Sequence, residues 1–170
     1  HLFQIILHLG NASLVFLVLN RLLNFKKMGH TLLPFILSLI FLIHPINTET
    51  VVYISDLQDI LFFFFGMLAL WWVMNKGIER TRDWIILSVL LLSSLLSKET
   101  GALFYFLITA YLWFFQKLLF NFKKILIWAI PTLTSLTLYL ILRFEVAKIF
   151  FNKHGLSPIT IMPLVERILS

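Results

Sequence analysis

Ile60-Leu61-Phe62-Phe63-Phe64-Phe65-Gly66-Met67-Leu68-Ala69-Leu70-Trp71-Trp72-Val73-Met74 carries no charge, and it lies between Asp59 and the pair Asn75-Lys76. A run this long and apolar on every face leaves no side to turn toward water, so it reads as a fully buried helix. The rest of the chain is alike. Of its 170 residues, 60% are apolar, 16% aromatic and only 13% charged, with a mean hydropathy of +0.95. A soluble chain of this size has too little interior to hide that much apolar surface. A free soluble globule is therefore excluded, as is disorder, which needs low hydrophobicity. The apolar runs are continuous and do not alternate with polar residues, so a lipid-facing β-barrel is excluded too. The remaining class is all-α, a polytopic transmembrane helical bundle. Cysteine is absent, which removes disulfides and thiolate metal sites. The net charge is +6, but the basic residues do not gather into one patch, and no nucleic-acid partner is expected.

Working outward from that run, polar clusters divide the chain into about six spans: Leu2–Leu23, Thr31–Ile43, Ile60–Met74, Trp84–Leu96, Ala102–Phe115 and Ile125–Leu142. Several are short. Thirteen helical residues cover about 20 Å of a hydrocarbon layer about 30 Å thick. Fusing Trp84–Phe115 into one long helix would cure this, but charge argues against it. The loops Asn24–His30, Lys76–Asp83 and Gln116–Lys124 hold eight cations, and the intervening loops hold only Lys98. Six spans put all three basic loops on one side, which the positive-inside rule assigns to the cytoplasm. The outer segments, His44–Asp59 and Ser97–Gly101, then sit on cores too short to cross fully. Polar backbone at depth survives only against protein or in a water-filled cavity, so a recessed polar vestibule is expected on the outer side. Trp71, Trp72, Trp84 and Trp113 read as interfacial anchors. Pro131, followed by Thr132, Thr134, Ser135 and Thr137, reads as a tolerated kink.

Candidate chemistry lies in those outer segments. A helix starting near Thr48 places Glu49, Tyr53, Asp56 and Asp59 near one face. The plainer reading is a solvated helix start, where the dipole favours acids. Asp59 directly abuts the apolar run, and a carboxylate that close to hydrocarbon points to function. Lys98 is the lone cation of the first two outer loops and suits a phosphate; its plainer partner is the adjacent Glu99. His44 before Pro45 reads as a proton donor or ligand, or else as a helix C-terminal cap. His1 and His8, with Asn11 near, read as interhelical hydrogen bonders. Arg143 either extends an anion site or snorkels.

These residues carry a family likeness. His44-Pro45-x-x-Thr48-Glu49-x-Val51-x-Tyr53-Ile54-Ser55, then Asp59-x-Leu61-x-x-Phe64, resembles a signature of polytopic glycosyltransferases of the GT-C fold. The likeness is to protein O-mannosyltransferases that carry tetratricopeptide repeats and to their bacterial relatives. Leu95-Leu96-Ser97-Lys98-Glu99-Thr100 resembles their Leu-Ser-Lys-Glu loop, and His1-Leu2-x-x-x-x-Leu7-His8 looks like the start of their second helix.

The resemblance implies that residues 1–170 are a partial transmembrane glycosyltransferase domain, lacking the family's first helix, first outer loop and C-terminal part. It implies an integral-membrane transferase that takes a sugar from a polyprenyl-phosphate-linked donor to a protein or glycan acceptor on the non-cytosolic face. Asp59, Glu49 and His44 would be catalytic; Lys98, Glu99, Tyr53, Asp56 and Arg143 would bind substrate. A divalent cation is an open option as cofactor. The expected location is the bacterial inner membrane with the site facing the periplasm, or alternatively the endoplasmic reticulum. The chain departs from the family in having Asp56-Leu57-Gln58 where many relatives have Gly-Arg-Ala. The alternatives are a transporter, which would set paired charges in mid-span, and a noncatalytic membrane scaffold.

Overall fold

The computed structural model describes residues 2–25, 31–47, 56–78, 80–116 and 122–146. Their long elements are six α-helices: α1 (Leu2–Phe25), α2 (Leu32–Ile43), α3 (Leu57–Lys76), α4 (Thr81–Ser97), α5 (Leu103–Gln116) and α6 (Phe122–Ile141). A 3-10 turn, Glu99–Ala102, joins α4 to α5, and a π-helical turn, Leu142–Val146, follows α6. No strand occurs among the described residues. Each helix lies on one of the expected apolar segments, but the ends differ. The central helix starts at Leu57, with Asp56 at its N-cap, so its first turn takes in Gln58 and Asp59. Helix ends follow capping and backbone hydrogen bonds, which hydropathy does not track.

By length and composition three helical stretches can cross a bilayer: Leu2–Leu23, Leu57–Lys76 and Ile125–Glu145. The others are shorter, at 12 residues for α2, 17 for α4 and 14 for α5. The chain divides into two compact units, His1–Tyr139 and Leu140–Ser170. Of the second, the end of α6 and the π turn are described.

Within the first unit α3 is the hub, packing against α1, α4 and α5, while α2 packs on α1. Ala69, Val73, Leu87, Leu91 and Ile108 are fully buried at these seams. A Cβ at Gly66 would collide with the Phe104 ring. The close approach of α3 to α5 therefore requires glycine there.

The core is mainly apolar, but the surface is apolar too, and several polar side chains are buried. Gln4, His8, Asn11, Ser94 and Ser135 are buried, while Leu32, Phe35, Ile36, Phe106, Phe114 and Leu133 are exposed. A hydrocarbon surround selects this distribution, because polar groups must find protein partners and apolar groups need none. Those partners are mostly on neighbouring helices. His8 Nε2 lies 3.1 Å from the Leu42 carbonyl oxygen, and Ser94 Oγ donates to the Phe62 carbonyl at 2.8 Å. Tyr105 donates to Ser135 Oγ at 2.8 Å, Trp128 Nε1 to Thr109 Oγ1 at 3.0 Å, and Ser88 shares a 2.9 Å bond with Thr134. Helix α6 runs through Pro131. The hydroxyls after it fold back on their own helix, as in Ser135 Oγ to Pro131 O at 2.7 Å, a pattern that bends helices.

Candidate functional site

Asp59 is the third residue of α3, in the first helical turn. The positive end of the helix dipole favours a carboxylate there. Lys98 caps the other helix of the hairpin. It is the C-cap of α4, its backbone extended at φ −157° and ψ 143°, and its N–H donates to the Ser94 carbonyl at 3.2 Å. Gly101 then donates to the Lys98 carbonyl at 2.8 Å, closing the 3-10 turn. That turn folds tightly back on α4. A Cβ on Gly101 would come within 2.6 Å of the Ser94 carbonyl, so the tuck needs a residue without one. The Ser94–Phe62 bond ties the same end of α4 to the start of α3.

The outcome is that Lys98 Nζ forms an ion pair with Asp59 Oδ1. The two residues stand 39 positions apart in sequence. Their side chains retain 35% and 25% of their exposure, so a ligand can reach both. Both line a cavity of about 430 Å³. His8 and Asn11 of α1, Phe41 of α2, Asn47 beyond its C-cap, and Phe62, Phe63, Thr100 and Leu103 complete most of its wall. Phe63 stacks on Phe41 at a centroid distance of 5.3 Å and meets Phe104 edge-on at 5.9 Å, giving a firm aromatic wall. The two charges cancel, so the site is neutral among its described residues. An anion arriving there must take Lys98 from Asp59.

The other expected site residues are placed differently. His44 is the exposed C-cap of α2, and its Nδ1 accepts from the Ile46 N–H at 3.3 Å. That bond serves an N–H beyond α2 and not the last carbonyls of the helix, so it is not the C-terminal cap expected, and His44 is not among the residues that line the cavity. Asp56 is the N-cap of α3, without a side-chain cap hydrogen bond. Of the four residues expected on one face of a helix begun near Thr48, the described part holds Asp56 and Asp59. Glu99 is exposed at the start of the 3-10 turn. Arg143 belongs to the π turn, in the second unit. Glu49 and Tyr53 lie outside the described residues, as does His1. His8 makes the interhelical bond expected of it.

Sequence reasoning passed over Asn11, Asn47 and Thr100 as site residues. Asn11 had a signal, since an amide inside an apolar span is expensive unless it has work to do. It donates to the Ile60 carbonyl at 3.1 Å, pinning α1 to the turn that bears Asp59. Asn47 donates to the Phe41 carbonyl at 2.6 Å.

No family model, curated protein or solved structure matches this chain. The site therefore stands on its own geometry. Among the described residues no three of His, Cys, Asp and Glu converge as metal ligands. Asp59 is the single described carboxylate on the cavity, and it is already paired with Lys98. This falls short of the oxygen set that a Mg²⁺ or Ca²⁺ site uses. Chemically, the arrangement offers an ammonium for an anionic group, a carboxylate able to accept a proton, and an apolar wall that limits water.

Proposed function

We propose that the chain is part of an integral-membrane glycosyltransferase, which moves a sugar from a polyprenyl-phosphate carrier to a protein or glycan acceptor on the non-cytosolic face. The observation that carries this reading is the Asp59–Lys98 ion pair on the wall of the 430 Å³ cavity. It joins the two motifs on which the resemblance to GT-C transferases rests. Supporting it, the pair lies at the start of α3 and the end of α4, whereas Lys76, Arg80 and Arg82 cluster at the other end of that hairpin. With six spans and the basic end cytoplasmic, the cavity faces the periplasm of a bacterial inner membrane.

In the proposed step the carrier phosphate draws Lys98 away from Asp59. The C–O bond between the sugar and the phosphate breaks as the acceptor oxygen attacks the same carbon from the opposite side. The acceptor's hydroxyl proton passes to a carboxylate, supplied from this chain by Asp59. Lys98 stabilises the charge left on the departing polyprenyl phosphate. A transporter reading would set the charge pair in mid-span, whereas this pair joins the first turn of α3 to the C-cap of α4.

The test is sugar transfer by the full-length protein in lipid nanodiscs. Asp59→Asn should lower the rate by about 100-fold or more, the scale of a lost general base. Lys98→Ala should raise the apparent KM for the carrier, with partial rescue by Lys98→Arg. Wild-type rates in Asp59→Asn would remove Asp59 from the chemistry.

A further inference from the structure

Asn11 lines the same cavity and is 2% exposed. Its Nδ2 is committed to the Ile60 carbonyl at 3.1 Å. That bond sets the orientation of the amide, because only the nitrogen can donate. The carbonyl oxygen, Oδ1, is then left buried with no hydrogen-bond partner. A buried acceptor without a donor is a standing cost. Asn11 is the tenth residue of α1, on a seam where Ala12 and Leu14 could be apolar neighbours of an apolar residue just as well. The Ile60 bond accounts for Nδ2 but leaves Oδ1 without a role in packing.

Oδ1 can only accept, and Lys98 can only donate. Asn11 and Lys98 are thus two unlike polar groups on the cavity wall. Lys98 suits the oxygens of an anion. Asn11 suits a neutral donor, since a neutral amide in a buried wall gives a cation too little to offset its lost hydration. We propose that Asn11 determines specificity by accepting a hydrogen bond from a hydroxyl of the ligand whose anionic group Lys98 holds. This rests on the transferase reading, and it assigns the sugar to the α1 side of the cavity and the phosphate to the α4 side.

The experiment compares two probes on the purified full-length protein in nanodiscs: undecaprenyl phosphate, and the same carrier bearing one mannose. Wild type should prefer the mannosylated carrier. Asn11→Leu should reduce that preference about tenfold or more, because sites built to hydrogen-bond a hydroxyl discriminate strongly against its absence. Affinity for the bare carrier should change less than about threefold. Equal losses for both probes would make Asn11 merely structural, acting through Ile60, and would overturn the proposal. So would an unchanged preference. If Asn11→Leu does not fold, monodeoxy-mannosyl carriers on wild type and Asn11→Asp, which keeps an acceptor, serve instead. Both should lose affinity for the same single deoxy sugar, and indifference to every deoxy position overturns the proposal. Failure of the wild type to bind either carrier is the distinct result that sinks the transferase reading itself.

Discussion

Asp59 and Asp83 occupy equivalent places, each the third residue of its helix, at opposite ends of the α3–α4 hairpin. The fold uses them differently. Asp83 is 3% exposed, and its Oδ2 accepts from the N–H of Arg80 at 3.3 Å, a bond three residues long. It sits in a pocket of about 250 Å³ whose other walls are Asn75, Lys76, Arg80 and Arg82, all within one connection. Asp59 instead reaches a lysine on another element, across an aromatic-walled cavity built from α1, α2, α3 and the 3-10 turn. A carboxylate that satisfies its own helix end is a cap. One held by a separate, partly exposed charge can be released when a competing anion arrives.

The largest expected effect separates the two acids. In one transfer assay, Asp59→Asn should lose about 100-fold or more, while Asp83→Asn should stay within about twofold of wild type. Asp83→Asn should instead lower thermal stability by about 1 kcal/mol, the scale of a helix cap. Comparable rate losses from both would abolish the distinction.

The glycines at the two ends extend the contrast. Gly77, at φ 72° and ψ −160°, has open space where a Cβ would go. Its backbone region is one that essentially only glycine adopts, so Gly77→Ala should cost about 1–3 kcal/mol while leaving transfer by the folded protein near normal. Gly101→Ala has no backbone strain to relieve but drives a methyl into the Ser94 carbonyl. It should destabilise by a similar amount, about 1–3 kcal/mol, and also displace Lys98 and raise the carrier KM. Melting curves and KM values measured together distinguish the two.

The smallest effect should come from between the ends. Ser88→Ala removes the bond to Thr134. Unfolding in mild denaturing detergent should show a loss of about 0.6 kcal/mol, typical of one interhelical hydrogen bond in a membrane, with unaltered transfer. A rate loss there would mean the chemistry is not confined to the cavity end.

Much of the fold was legible in the chain because apolar periodicity and length are local properties. The segment Ile60–Met74 carries no charge, and all six helices lie on predominantly apolar segments. Helix starts were less legible. Asp56 is the N-cap of the central helix, and a cap is decided by a few backbone hydrogen bonds that composition does not reveal. His44 read as a ligand or a helix C-terminal cap, and its side chain instead accepts from the Ile46 N–H beyond the helix. Length alone marks three crossings, and charge asymmetry suggests more.

By itself the sequence determined the helical class, the apolar segments and the separation of a basic end from an end holding Asp59 and Lys98, because each follows from the order of residues along one strand of chain. Only the tertiary structure decided that Lys98 faces Asp59 and not its neighbour Glu99, that Asn11 shares their cavity, and that His44 does not. Those outcomes depend on how α1, α3 and the turn after α4 pack, down to the missing side chains of Gly66 and Gly101. Contacts between residues tens of positions apart have no signature in local pattern, since it is close packing in three dimensions that selects them.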